Sequence, residues 1–198
     1  MSGETGALYV VRGPTHDAQR TFHPVRPATL ADVPQLEALM APFVATGDLL
    51  PRSNYDLCRH IKEYVVVEAG GEIVACGALK IYSPALAEVA GLAVRDDWQG
   101  RGLGKRVVEA LIVEARGQGL AEVLALTRKP DFFYRLGFAL SDRHHFPIKV
   151  WADCARCPRQ FCCDEIAVTM KVYCGSSVRF CWRADPCGIP SKYLHFWT

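Results

Sequence analysis

Val94-Arg-Asp-Asp-Trp-Gln-Gly-Arg-Gly-Leu-Gly-Lys105 is the stretch on which the reading of this chain turns. An apolar strand ends at Val94, a turn passes Asp96-Asp97, and three glycines at alternate positions lead into a helix. Glycine at Gly100, Gly102 and Gly104 lets the backbone come close to a ligand and lets successive N–H groups converge. With the positive end of a helix behind them, these groups make a site for a pyrophosphate, and Arg101 and Lys105 add charge. The spacing is G-x-G-x-G, so the dinucleotide fingerprint G-x-G-x-x-G is absent. The phosphate loop G-x-x-x-x-G-K-[ST] is absent too, because Lys105 is followed by Arg106. Alone, such a loop could also be a plain helix start; its surroundings decide.

Downstream, Leu103, Val107, Leu111 and Ala115 repeat on one helical face until Gly117 and Gly119 end the helix. Val123–Thr127 reads as a buried strand, Pro130 starts a helix of one or two turns, and Gly137-Phe138 leads into another strand. Glu165–Val172 reads as the last strand. Upstream of the loop, Leu86–Val94 is a strand that follows a turn at Ser83-Pro84. Before it, Tyr64–Ala69 and Glu72–Tyr82 flank a Gly70-Gly71 hairpin turn. Thr29 with Asp32, and Ser53 with Asp56, have the spacing of capping boxes in front of two helices. The first helix shows its apolar face as Leu30, Val33, Leu36, Leu39, Met40 and Phe43. Val25-Arg26 forms a short opening strand that Pro27 keeps out of a sheet interior. The order is therefore β-α-α-β-β-β-α-β-α-β-β, a mixed α/β layer architecture on one mostly antiparallel sheet.

The 198 residues fit one domain with appendages, half of them apolar, with a formal charge of +2. That balance argues against nucleic acid or an anionic membrane as partner. No run approaches the roughly 20 apolar residues of a membrane span, and the start lacks a secretory pattern. A cytoplasmic protein is expected. Residues 1–23 read as a flexible extension, 24–173 as the domain, and 174–198 as a disordered or non-native tail without periodicity.

Gln99-Gly100-Arg101-Gly102-Leu103-Gly104 resembles the R/Q-x-x-G-x-G/A signature of the GNAT acetyltransferases. The strand Glu88–Val94 and Phe132-Phe-Tyr-Arg-Leu-Gly-Phe138 are similar to that superfamily's pattern as well. The resemblance runs from Arg26 to about Val172 and implies the GNAT fold and acetyl-CoA as co-substrate. It implies that the loop Gln99–Lys105 binds the pyrophosphate of coenzyme A and that Leu92, Ala93 and Val94 bind the pantetheine through their backbone. It also implies direct transfer from thioester to amine.

Within the superfamily the chain resembles the short N-acetylglutamate synthases. The carriers are Val25–Val33, Leu49-Leu-Pro-Arg-Ser53, the Val67–Leu79 hairpin and Lys149-Val-Trp through Ala167. The resemblance implies acetylation of the α-amine of an amino acid, L-glutamate foremost, as the first step of arginine biosynthesis. Another small amine or a protein N-terminus is an alternative acceptor, and a silent acetyl-CoA sensor an alternative role; a homodimer is left open.

A glutamate acceptor brings two carboxylates, which arginine forks match. Arg26 and Arg52 are the expected readers, with Lys80 and Arg128 as further candidates. Glu88, on the strand leading to the thioester, is the expected general base. Many enzymes of the superfamily carry a tyrosine four residues before the glycine of the Gly-Phe pair; here that position is Phe133, and the adjacent Tyr134 is the substitute acid. Of nine cysteines, Cys58 and Cys76 read as core residues, and seven crowd into the last 45 residues. Cys154, Cys157, Cys162 and Cys163 have the short spacing of a zinc knuckle. Adjacent Cys162-Cys163 chelate one ion poorly, so reduced thiols or a local disulfide are preferred to zinc.

Overall fold

The computed structural model describes residues 23–146, 153–157, 159 and 161–172. The expectations for residues 1–22 and for the tail 174–198 lie outside the described residues. Eleven helices and strands follow the expected order. They are β1 (Val25–Pro27), α1 (Val33–Ala45), α2 (Asn54–His60), β2 (Tyr64–Ala69), β3 (Glu72–Ser83), β4 (Leu86–Val94), α3 (Leu103–Gly117), β5 (Glu122–Thr127), α4 (Pro130–Tyr134), β6 (Ala139–Ser141) and β7 (Ile166–Lys171).

The strands form one sheet in the order β1-β2-β3-β4-β5-β7-β6. Every pairing is antiparallel except β4 with β5, where α3 supplies the long crossover that a parallel pair requires. β1 is an edge strand, which accommodates Pro27. Both helix-start signals are realised. Thr29 N–H and Oγ1 donate to Asp32 Oδ2 at 2.7 and 3.0 Å. Ser53 Oγ accepts from Asp56 N–H at 3.1 Å. Leu30 departs from the expected helix face: it falls in a preceding turn of 3-10 helix and is 63% exposed.

Each sheet face has its own core. α3 lays Val107, Leu111 and Ala115 against Val65, Val67, Leu79 and Val123 on one face. α1 and α2 lay Leu36, Met40 and Leu57 against Val66, Cys76, Ala78 and Ala93 on the other.

The feature that creates a site lies at β4. Its parallel ladder with β5 holds for three residue pairs, Leu86–Glu88 against Glu122–Leu124, while β5 continues to pair with β7 through Thr127. Past Glu88 the two strands diverge. Gly91 marks the break, with φ +58, a conformation that residues with side chains rarely adopt, and the β3–β4 register shifts beside it.

Candidate active site

The divergence of β4 and β5 opens a cleft of about 1290 Å³. One arm is bounded by the diverging strands and the start of α3. Leu92 and Val94 line it from β4, and Leu126 and Thr127 from β5. Gln99, Gly100, Gly102, Leu103, Gly104 and Lys105 close its end. Gly100 and Gly102 adopt φ of +72 and +80, and an added Cβ on either would meet no protein atom within 4 Å. The space before them is therefore open to a ligand, and the free N–H groups at the start of the 15-residue helix α3 border it.

Gly104 is small for a different reason: its Cβ would stand 3.4 Å from Phe132 Cζ and 3.6 Å from Val94. Gln99 braces the turn by donating from Nε2 to Val94 O at 3.1 Å and to Asp96 Oδ1 at 2.8 Å. Two residues of the expected cofactor set lie off the cleft wall. Ala93 is 1% exposed and packs on the opposite face under α1, as strand alternation requires. Arg101 lies over the Trp98 ring at 4.6 Å and donates to Asp97 O at 2.9 Å, while Trp98 itself lines the cleft.

The other arm is built from charged side chains. Glu88, 4% exposed, lines the cleft at the last residue of β4 that pairs with β5. Tyr82 Oη donates to Glu88 Oε2 at 2.5 Å. Lys80 lies directly across the strand pair from Glu88 and donates to Asp153 Oδ2 at 2.7 Å. Asp153, 6% exposed, also faces Arg52 at 3.6 Å. Arg52 and Asp153 both line the cleft. Desolvation first, and then the charge of Glu88, push the Tyr82 phenol far above its ordinary range, so it keeps its proton. Desolvation likewise pushes Tyr64, beside Arg52 and Asp153, up to about 12.

Four of the expected site residues stand differently from their sequence reading. Arg26 is at the far sheet edge. Its two terminal nitrogens meet Asp32 at 2.7 and 2.8 Å, and Glu68 at 2.8 Å, so the fork is filled by the chain's own carboxylates. Tyr134 is 37% exposed on α4 and is not part of the cleft wall, because the helical turn directs its neighbours Phe132 and Phe133 there instead. Lys80 is neutralised by Asp153 and lies behind the wall. Arg128 does line the cleft, yet all three of its nitrogens are engaged: Nε with Asp164 at 2.9 Å, Nη1 with Asp48 at 2.7 Å and Nη2 with Gly47 O at 2.7 Å. It ties the α1–α2 loop to the approach of β7.

Tyr82 and the role of Asp153 were missed in the sequence. The signal for Tyr82 was present, since strand alternation puts it on the face of Lys80, which opposes Glu88. Cys154, Cys157, Cys162 and Cys163 are free thiols. Among the described residues no three His, Cys, Asp or Glu side chains are grouped to hold a metal ion.

A sheet split at a β-bulge, a glycine-rich helix start at one end of the split and a buried carboxylate at the other define a group-transfer site for a phosphate-bearing donor. The Acetyltransferase (GNAT) family model matches residues 33–138. An uncharacterized N-acetyltransferase of Chlorobaculum tepidum is 34% identical over 144 residues, covering 73% of this chain and 93% of that protein. The amino-acid acetyltransferase of Neisseria meningitidis is 35% identical over 135 residues, 67% of this chain. The structure of N-acetylglutamate synthase from Neisseria gonorrhoeae complexed with coenzyme A and N-acetyl-glutamate superposes with a TM-score of 0.71 at 29% identity. That match covers 77% of this chain and 36% of the synthase. The chain belongs to the GNAT acetyltransferase family and is an acetyl-CoA-dependent acyltransferase. It spans 31% of the Neisseria meningitidis enzyme's length.

Proposed function

We propose that this chain transfers the acetyl group of acetyl-CoA directly to the α-amine of L-glutamate. The observation that carries the reading is the pairing, in one cleft, of a buried carboxylate, Glu88, with an arginine fork, Arg52, whose ion-pair contact among the described residues is Asp153 at 3.6 Å. The likeness to amino-acid acetyltransferases supports it. The start of α3 and the loop Gln99–Lys105 take the pyrophosphate through backbone N–H groups, and Leu92 and Val94 flank the pantetheine. Glu88 takes a proton from the acceptor's ammonium group. The amine then attacks the thioester carbonyl; the N–C bond forms, the C–S bond breaks, and the thiolate leaves and is protonated. Arg52 holds a carboxylate of the acceptor. On this reading the reaction opens arginine biosynthesis and takes place in the cytoplasm, and residues 24–173 form the catalytic domain.

A second reading has its own observation. Arg26 lies outside the cleft, while Lys80 and Arg128 are matched by carboxylates of the chain. An α-amino acid with a single carboxylate therefore also suits Arg52. The test is an acceptor screen with acetyl-CoA, following thiol release across amino acids and polyamines. Glutamate is expected to give the highest kcat/KM. A better neutral amino acid selects the second reading, putrescine above all amino acids overturns both, and coenzyme A binding without any turnover identifies a silent sensor.

A further inference from the structure

The Tyr82 hydroxyl stands between two carboxylates, 2.5 Å from Glu88 Oε2 and 3.3 Å from Asp153 Oδ2. A phenol has one proton to give, and the shorter contact takes it. Asp153 Oδ2 is satisfied from its other side by Lys80 Nζ at 2.7 Å. The arrangement follows from the strands. Lys80 and Tyr82 share one face of β3, Lys80 opposes Glu88 in the register, and the chain returns 71 residues after Tyr82 to bring in Asp153. Glu88 and Asp153 are 4% and 6% exposed, so each depends on hydrogen-bond donors supplied by the protein, and Tyr82 gives one to Glu88 at 2.5 Å.

We propose that Tyr82 is a positioning residue for Glu88, fixing the orientation of its carboxylate at the cleft wall. The inference rests on Glu88 being the base. Among the described residues, Tyr82 and Lys80 of β3 stand next to Glu88, with Asp153 and Arg52 beyond them, and its partner on β5 is the apolar Leu124. Arg128, Arg143 and His144 line the same cleft. Because the phenol keeps its proton, Tyr82 supplies its hydrogen bond across the whole working range.

The experiment is kcat and the two Michaelis constants in the parent chain, Tyr82→Phe, Tyr82→His, Tyr82→Leu and Glu88→Gln, with the melting temperature of each. Tyr82→Phe removes the donor and nothing else, so kcat should fall about tenfold while the KM for acetyl-CoA stays put. A residue that merely supports the fold would lower the melting temperature and leave the kcat of the folded enzyme unchanged. Unchanged kcat in folded Tyr82→Phe overturns the proposal; if that variant does not fold, equal kcat in Tyr82→His, which can donate, and Tyr82→Leu, which cannot, does so. Glu88→Gln tests the underlying reading separately: full activity there removes Glu88 as base whatever Tyr82 does.

Discussion

The two arms of the cleft are made of different material. The arm beside α3 is backbone: a strand pair that parts after Glu88, two glycines at positive φ and the first turn of a helix, all within the run from Glu88 to Lys105. The arm proposed to take the acceptor is side chain: Arg52 from the segment before α2, Tyr82 and Lys80 from β3, Glu88 from β4 and Asp153 from far downstream. A backbone site is written locally, in glycine spacing and strand–helix order. A site of charges is written in which cation meets which carboxylate, and that is decided by tertiary contacts.

The largest effect is expected from breaking the backbone arm. Gly102→Val places a β-branched side chain at φ +80, in space that holds no protein atom within 4 Å. Acetyl-CoA affinity should fall at least about a hundredfold, a loss of roughly 2.7 kcal/mol, while cooperative unfolding persists. Calorimetric titration of the folded variant checks it, and unchanged affinity would remove the loop from the cofactor site. Gly104 is the poorer probe, because Phe132 already presses on it.

Next in size is a test of which region Arg26 belongs to. Its hydrogen bond, with help from Thr29, holds the Asp32 carboxyl down near 2, against an ordinary value of 3.8. A depressed carboxylate stabilises the fold above its unfolded value, and that stability disappears as pH falls through the folded one. About 2 kcal/mol should therefore be lost between roughly pH 4 and pH 2. Asp32→Asn should lose a similar amount at pH 7, with the KM for acceptor unchanged. Urea titration and kinetics on one preparation decide; a raised acceptor KM would return Arg26 to the acceptor arm.

A smaller change sharpens the acceptor arm itself. Arg52→Lys keeps the charge and loses the fork, so the KM for glutamate should rise roughly tenfold while that for acetyl-CoA stays constant. Equal Michaelis constants in parent and variant would exclude Arg52 as the carboxylate reader. The smallest effect belongs to Tyr134→Phe. With its hydroxyl outside the cleft, kcat should stay within about twofold of the parent across the pH range, well short of the factor that general acids contribute.

What was legible follows the same division. The hairpin at Gly70-Gly71, the capping boxes at Thr29 and Ser53 and the loop before α3 are local patterns, and each appears where its spacing puts it. Arg26 misleads because Asp32 has two tasks. The capping box is visible from Thr29 alone, whereas the same carboxylate's grip on Arg26, shared with Glu68 of β2, exists only once β1 has paired. Arg128 is similar: nothing nearby in sequence announces Asp48, 80 residues away, as its partner. Tyr134 fails by helical phase, which one residue reverses on a five-residue helix. Tyr82 was within reach, since alternation along β3 and the Lys80–Glu88 register place it beside Glu88.

The bulge at Gly91 has a consequence in time as well as in shape. Elsewhere the backbone of β4 is held between two strands, but beyond Glu88 its β5 side faces the cleft. The amides there are protected from solvent exchange by whatever occupies that gap. On the proposed reading, a donor molecule threaded between the strands would act as a temporary strand that each turnover takes away again. Hydrogen exchange along Val89–Val94 should therefore report donor occupancy directly, slowing with coenzyme A bound and quickening on release, while Val65–Val67 of β2, paired on both sides, stays unchanged.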